Sequence, residues 1–366
     1  MKIVVVSQNT FPAQDPRAFR TRELTEWFAQ QGHEVILYTV HGKYNYEKYE
    51  EETGIQMRNI PVLLNIPTND GSRTNSLFDR IMTHFFANNL FWPHCELHFR
   101  MKEILLENKN IDLLITIAFP HSIHSGIAHA IKRKPHLKPR VWIADCGDPF
   151  MLNPFSKHPA YMKRFEYLWC NEADYITIPI EEGKSGYYPE FHHKIRIIPQ
   201  GFNFERTPID KYVPNDVPTF IYTGAIYKGI RDPHKFMDYL LNLKTPYRFK
   251  MILRSPLEEY YLTRSQGQIE YVIGLDRATV IRECSKADFL INIINPKAVQ
   301  SPSKLIDYGI AGRPVLDIDS NFSDPKVFES FIEGDYSTQH VISNLNDYRI
   351  ENIGMKFISL FREQAH

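Results

Sequence analysis

Short runs of β-branched and aliphatic residues alternate, along most of the chain, with stretches whose apolar positions recur at helical spacing. "KIVVVS" near the N-terminus is followed by "PRAFRTRELTEWFAQQG" and then by "EVILYTV". In the middle segment Phe19, Leu24, Trp27 and Phe28 sit at helical spacing and Gly32 supplies a stop, so the pattern predicts a strand, a crossover helix and a parallel strand. Further strands are predicted at "DLLITIA", "RVWIAD", "YITIP" and "IRIIPQG", and in the second half at "TFIYTG", "RFKMILRS", "EYVIG", "DFLINII" and "RPVLDID". Alternation of this kind belongs to an α/β fold in which helices cover both faces of a parallel sheet. Neither half repeats the other in sequence, yet each reads as a doubly wound unit.

At 366 residues the chain exceeds the size at which one core usually stops growing, which predicts two domains. Between two strands the stretch "PQGFNFERTPIDKYVPNDVP" crowds Pro, Asp and Asn without helical periodicity, and it divides the chain into domains at 1–200 and 201–366. The final "NDYRIENIGMKFISLFREQAH" predicts an amphipathic helix that packs wherever Ile350, Ile353, Phe357 and Phe361 find apolar surface, the N-terminal domain included.

Lys and Arg number 43 against 43 Asp and Glu, so the formal net charge is zero. That lacks the basic excess of a dedicated nucleic-acid binder, and any anionic ligand has to be met by a few local groups. Cys95, Cys146, Cys170 and Cys284 form no CxxC pair, which argues against a zinc ribbon or a disulfide framework and fits a reducing, cytoplasmic setting. "MKIVVVSQNTF" has too short an apolar run for a signal segment or a membrane span and reads as a first strand. Residues 73–106 are rich in aromatics, with Phe85, Phe86, Phe91 and Trp92 close together. Two readings stand: helix core interrupted at Pro93, or a peripheral surface that meets the inner face of a membrane or a lipid-linked substrate.

The stretch "SPSKLIDYGIAGRP" carries the sharpest chemistry. Ser301 is a good N-cap, Pro302 suits the first helical position, and the next N–H groups of such a helix lack intrahelical partners. Lys304 on the first turn opposes the helix dipole unless an anion sits in front of it. Asp307 lies one turn beyond Ser303 and is suited to accept hydroxyl hydrogen bonds from a ribose. Because "DFLINII" precedes it, the helix start falls at the carboxyl edge of a parallel sheet, where α/β proteins bind ligands. An ordinary capped helix with a solvated lysine is the alternative.

This stretch resembles the nucleotide-binding segment of GT-B glycosyltransferases of family 4, in particular a bacterial surface-polysaccharide branch with a "PSKLxEYxAxGxPV" pattern. Similar segments follow in the same order: "VSQNTFPAQDPRAFRTRELTEWFAQQGHEV", "WIADCGDPF", "NEADYITIPIEEGKSGY", "KIRIIPQGFN" and "YTGAIYKGIRDP". The resemblance covers nearly the whole chain. It implies two Rossmann-like domains facing a central cleft, with a nucleotide-sugar held mainly by the C-terminal one and a glycan or lipid-linked glycan acceptor approached from the N-terminal one. It further implies transfer with retention, no metal or other cofactor, and a departing diphosphate that takes the acceptor's proton.

On the matched positions, Lys304 and Arg231 are the candidates for the diphosphate, with Gly224 and Gly229 allowing close backbone approach. Gly224, Ser303, Lys304, Leu305 and Asp307 make up the expected donor site, Asp307 holding ribose. Val299, beside Gln300, stands where the family usually has a glutamate that contacts the donor sugar.

His121 and His124 follow the strand "DLLITIA", and His121 is a candidate to donate to the sugar or orient an acceptor hydroxyl, against helix capping or solvation as the alternative. Asp145 and Asp148 in "ADCGDPF" are acceptor-side candidates or turn formers. Arg17, near Arg20 on the first helix, follows a loop without glycine where the family usually has a glycine-rich one, and is a candidate to compensate with its charge. "DID" at 317–319 matches an Asp-x-Asp metal signature of a different glycosyltransferase fold, but it ends an apolar strand, and the His192–His193 pair has no partners at metal-ligand spacing.

Three other functions compete. A GT-B nucleotide-sugar epimerase needs a carboxylate pair for proton transfer. A non-catalytic nucleotide- or sugar-binding subunit is suggested by Val299. A dinucleotide-dependent dehydrogenase lacks a G-x-G-x-x-G after any strand here.

Overall fold

The computed structural model describes residues 1–72, 77–154, 156–206, 209–227, 231–294 and 303–365. It divides into unit 1, Met1–Phe202 with Asp347–His366, and unit 2, Asn203–Asn346.

Unit 1 begins with β1 (Lys2–Ser7), α1 (Pro16–Gln30), β2 (Glu34–Thr39), α2 (Glu47–Thr53) and β3 (Gln56–Asn59). Next come α3 (Leu77–Leu90), α4 (Cys95–Glu107), β4 (Leu113–Ala118), α5 (Ser122–Arg133) and β5 (Val141–Cys146). The run closes with α6 (Lys163–Glu172), β6 (Tyr175–Ile178) and β7 (Ile195–Ile197). Its seven strands pair in parallel in the order β3-β2-β1-β4-β5-β6-β7.

The runs are apolar at nearly every position because both sheet faces are covered. Val4 and Val6 of β1 pack with Leu97 and Met101 of α4, Ile123 and Ile127 of α5 and Trp169 of α6. Ile3 and Val5, pointing to the other face, pack with Leu24, Trp27 and Phe28 of α1. Asp15 starts α1, its carboxylate accepting from the N–H groups of Arg17 and Ala18.

Unit 2 holds β8 (Thr219–Gly224), α7 (His234–Leu240), β9 (Arg248–Leu253), α8 (Glu259–Arg264) and β10 (Ile269–Ile273). It continues through α9 (Arg277–Ser285), β11 (Phe289–Ile293), α10 (Ser303–Ala311), β12 (Val315–Ile318) and α11 (Pro325–Ile332). Its five strands are again parallel, in the order β10-β9-β8-β11-β12. Phe220 stacks between Phe249 and Phe289 at centroid distances of 4.9 and 5.0 Å, while Phe236 and Phe328 close over them.

The last helix, α12 (Ile350–Ala365), belongs to unit 1. Ile350, Ile353, Phe357 and Phe361 are buried in the layer that holds Trp27 and Phe28. The contact requires a glycine, since a Cβ on Gly354 would overlap the six-membered ring of Trp27.

The aromatic stretch divides in two. Helix α4 buries Leu97, Met101, Ile104 and Leu105, as a core helix should. Helix α3 instead exposes Leu77, Ile81 and Phe85, a row at every fourth position along one face. Among the described residues no helix is long and apolar enough to cross a membrane.

The Gly354 contact makes one expectation. Gly354→Val should displace Trp27 and lower the stability of unit 1 by about 1–3 kcal/mol, the usual cost of overpacking a filled core. A urea-unfolding midpoint equal to that of the wild type would show that the α1–α12 interface has room to spare.

Candidate functional site

In unit 2 the chain leaves β8 toward β9 on one side and leaves β11 toward β12 on the other, so the carboxyl ends of these neighbours form a topological switch point. Gly224 ends β8 with φ of 127°, a conformation that side chains disfavour, and it turns the backbone into the loop that carries Arg231. That loop is fastened by reciprocal backbone bonds between Tyr227 and Arg231, of 3.1 and 2.9 Å. Gly229 lies outside the described residues, as do Val299, Gln300, Ser301, Pro302 and the side chain of Ser303.

Helix α10 ends as its sequence predicts, with Gly312 in the left-handed region. Its second residue is Lys304, and Leu305 beside it is half-buried. The Lys304 ammonium is enclosed and has no hydrogen-bond partner among the described residues. Its nearest ring is Tyr222, with Nζ 4.8 Å from the ring centroid, and Tyr308 lies 6.0 Å away. Burial first, and then the positive charge of Arg231, lower the Lys304 pKa to about 7 against the upward pull of Asp317. The two residues expected to meet a diphosphate are therefore within each other's field.

Two tyrosines that sequence reasoning passed over hold this arrangement. The Tyr308 hydroxyl donates to the Ile291 carbonyl at 3.0 Å and accepts from the Thr223 N–H at 2.9 Å, tying α10 to both β11 and β8. Tyr222 donates to the Ala225 carbonyl at 3.0 Å, which orients its ring beneath Lys304. A signal existed: both are aromatics one turn or one loop from a predicted ligand residue.

Asp307 has one of its two oxygens engaged within the protein. Arg277 of α9 donates to its Oδ1 through Nε at 2.9 Å and through a terminal nitrogen at 2.6 Å. Burial raises the Asp307 pKa, and Arg277 draws it back. Asp317 accepts from Asn292 at 2.6 Å and pairs with His340 at 2.8 Å, whereas Asp319 accepts from the N–H groups of Asn321 and Ser323. The two aspartates of "DID" thus serve separate local contacts. Among the described residues no three His, Cys, Asp or Glu side chains are grouped to hold a metal ion.

Unit 1 brings its candidates to the carboxyl edge of its own sheet. Asp145 is buried against Arg20, which donates to both carboxylate oxygens at 3.1 and 2.7 Å, while Thr177 donates at 2.7 Å. Burial pushes the Asp145 carboxyl upward, but Arg20 and then Arg17 and Thr177 more than reverse this and hold it below the ordinary value. Its oxygens are satisfied inside the unit. Arg17 packs flat over Gly147, where a Cβ would overlap the guanidinium, and Asp148 next to it is exposed.

His121 is buried, with Nε2 3.2 Å from the Asp148 carbonyl and its ring stacked on Phe150 at 5.1 Å. Burial lowers its pKa to about 4, so the ring is neutral at physiological pH and donates to that carbonyl. His124 is fully enclosed between the Thr116 hydroxyl at 2.7 Å and the Cys146 thiol at 3.4 Å, and burial takes it down to about 3.

No protein-family model matches the chain, and no curated protein does. Solved structures do. HepE of Anabaena, in complex with UDP, superposes with a TM-score of 0.65 at 8% identity over 99% of this chain and 100% of that one. A glycosyltransferase from Rickettsia africae gives 0.63 at 12% identity over 99% and 98% of the two chains. The lipopolysaccharide outer core galactosyltransferase WaaB, in its apo form, gives 0.61 at 12% identity over the whole of both. The parallel sheets of seven and five strands with flanking helices are the GT-B fold of these glycosyltransferases.

The unpartnered ammonium has a measurable consequence for the free protein. Its folded-state pKa near 7 lies below the unfolded value near 10.4, so the burden of burying the charge is complete below pH 7 and fades as pH rises toward 10.4. Lys304→Met should therefore stabilise the ligand-free protein, by at least about 1–3 kcal/mol at pH 6, the usual cost of an unsatisfied buried polar group. The gain should shrink by pH 10, and thermal unfolding at the two pH values reads both numbers.

Proposed function

We propose that the protein is a glycosyltransferase that moves a sugar from a nucleotide-sugar donor to a glycan or lipid-linked glycan acceptor. The observation that carries this reading is the enclosed Lys304 ammonium, without a hydrogen-bond partner among the described residues and in the field of Arg231, at the switch-point edge of a Rossmann-like sheet. A diphosphate supplies the missing negative charge, and the start of α10 adds its dipole. The GT-B fold and the UDP bound to the Anabaena neighbour support UDP as the first nucleotide to test.

In the reaction the bond from the sugar's anomeric carbon to the diphosphate oxygen breaks, and a bond from that carbon to the acceptor oxygen forms. The acceptor's proton leaves with the diphosphate. Lys304 and Arg231 neutralise charge as it develops on the leaving group, a stabilisation that grows along the reaction. Retention of anomeric configuration, independence from metal and a family 4, surface-polysaccharide assignment are parts of the same proposal. Arg17 and Asp148 are its acceptor-side groups, with Asp145 positioning Arg20. The apolar row on α3 supports a lipid-linked acceptor met at a membrane face.

Thermal-shift and calorimetric titration with UDP tests the donor site. Wild type should bind, and affinity should fall above pH 7.5 by up to about tenfold per pH unit, because the ammonium that UDP needs is losing its proton. Lys304→Met should bind much more weakly and lose that slope. No binding of UDP, GDP, ADP, CMP or dTDP by wild type would defeat the proposal. Binding without release of nucleotide from any nucleotide-sugar, over a range of acceptors, would leave a binding subunit in place of an enzyme.

The membrane side has its own measurement. Wild type should sediment with phosphatidylcholine vesicles, and Ile81→Ser combined with Phe85→Ser should reduce the bound fraction several-fold. Equal sedimentation of the two proteins would remove α3 from the acceptor pathway.

A further inference from the structure

In unit 1, α5 and α6 leave an open groove of about 780 Å3 between them. His129, Lys132 and Arg133 line it from α5, and Arg164, Tyr167 and Glu172 are among the residues that line it from α6. Spacings of three and four place the α5 set on one helical face, and positions i, i+3 and i+8 do the same for the α6 set. Lys132, Arg133 and Arg164 are exposed, and none has an ion-pair partner among the described residues.

Helix electrostatics account for only part of this cluster. Lys132 and Arg133 occupy the last turn of α5, where cations complement the negative end of the dipole. Arg164 is the second residue of α6, at the positive end, where a cation is unfavourable. Lys163 beside it is engaged over the rings of Tyr167 and Tyr188, at 4.8 and 4.5 Å. The acidic residue of that first turn, Glu166, is buried, and burial pushes its carboxyl up to about 8, so it offers no charge at neutral pH. Among the lining residues Glu172 is then the one carboxylate beside three cations, Lys132 and Arg133 on α5 and Arg164 on its own helix.

In a chain of zero net charge this is a local excess with no ion-pair partner among the described residues. Two guanidinium forks and an ammonium around a concavity match the tetrahedral oxygens of a phosphate, which arginine binds in bidentate fashion. The volume leaves room for an organic substituent on that phosphate. We propose that the groove between α5 and α6 is a binding site for the phosphate group of a phosphate ester, independent of the nucleotide site in unit 2.

The source of the phosphate, a soluble ester or a lipid headgroup, is separated by the probes. Glycerol 3-phosphate is titrated by calorimetry, and vesicles of phosphatidylcholine with and without phosphatidylglycerol are sedimented. The proteins are the full-length wild type, Lys304→Met, the charge-reversed pair Arg133→Glu/Arg164→Glu and the milder pair Arg133→Gln/Arg164→Gln, each checked for cooperative unfolding. Wild type and Lys304→Met should bind at least one probe alike. Both groove variants should lose about tenfold or more, as expected when two charge-assisted contacts are removed. Loss confined to glycerol 3-phosphate identifies a soluble ester, and loss confined to the phosphatidylglycerol vesicles identifies a headgroup. If wild type binds neither probe, or the groove variants bind as wild type does, the proposal is overturned. UDP titrated in the same series keeps the two sites apart, because the groove variants should retain whatever UDP affinity wild type shows.

Discussion

An ammonium held out of water without a hydrogen-bond partner among the described residues is the constraint on which the organisation of unit 2 depends. Leaving the Lys304 charge unsatisfied costs free energy, and only part of that is offset by the face of the Tyr222 ring. The side chain stays enclosed because the helix that carries it cannot shift. One residue, Tyr308, spends its hydroxyl on two strands at once and so fixes α10 to the edge of the sheet. The strands themselves are held together by the stack of Phe220, Phe249 and Phe289, one ring from each of β8, β9 and β11.

Unit 1 solves the matching problem in the opposite way. At the carboxyl edge of its sheet the buried charge on Asp145 is answered by Arg20, by Thr177, and through Arg20 by the carbonyls of Ile198 and Pro199. Such a fully bonded pair fixes geometry and leaves little capacity for a ligand. The contrast explains why a satisfied carboxylate reads as scaffold and an unsatisfied ammonium reads as a site. It also moves attention in unit 1 from Asp145 to Arg17, whose guanidinium rests on the backbone of Gly147.

Much of the fold was legible because parallel strands buried on both faces must be apolar at successive positions, a signal local to each run. β1 and β8 coincide with the runs "KIVVVS" and "TFIYTG", and most of the other predicted strands differ only at their ends. The placement of Lys304 and Arg231 near strand ends was legible for a related reason: both follow a predicted strand, and the carboxyl edge is where α/β folds bring such residues. What stayed hidden were pairings between distant positions. Asp307 looks like a ribose ligand until Arg277, from the neighbouring helix, is seen to occupy one of its oxygens. Asp145 and Arg20 lie 125 residues apart, and nothing in either segment announces the other. His121 looked available at a strand end, yet Phe150 and Trp169 arrive from later elements to cover it.

The place of α12 bears on how the chain is made. Trp27 and Phe28 belong to a helix near the start of the polypeptide, but their cover comes from residues that leave the ribosome after the whole of unit 2. During synthesis the α1 flank of the first sheet is thus an open apolar surface for as long as the intervening segment takes to emerge and fold. The glycine at 354 leaves the late helix the space to lie directly against the indole of Trp27. Unit 2 is topologically an insertion, and closure of unit 1 waits on the residues that follow it.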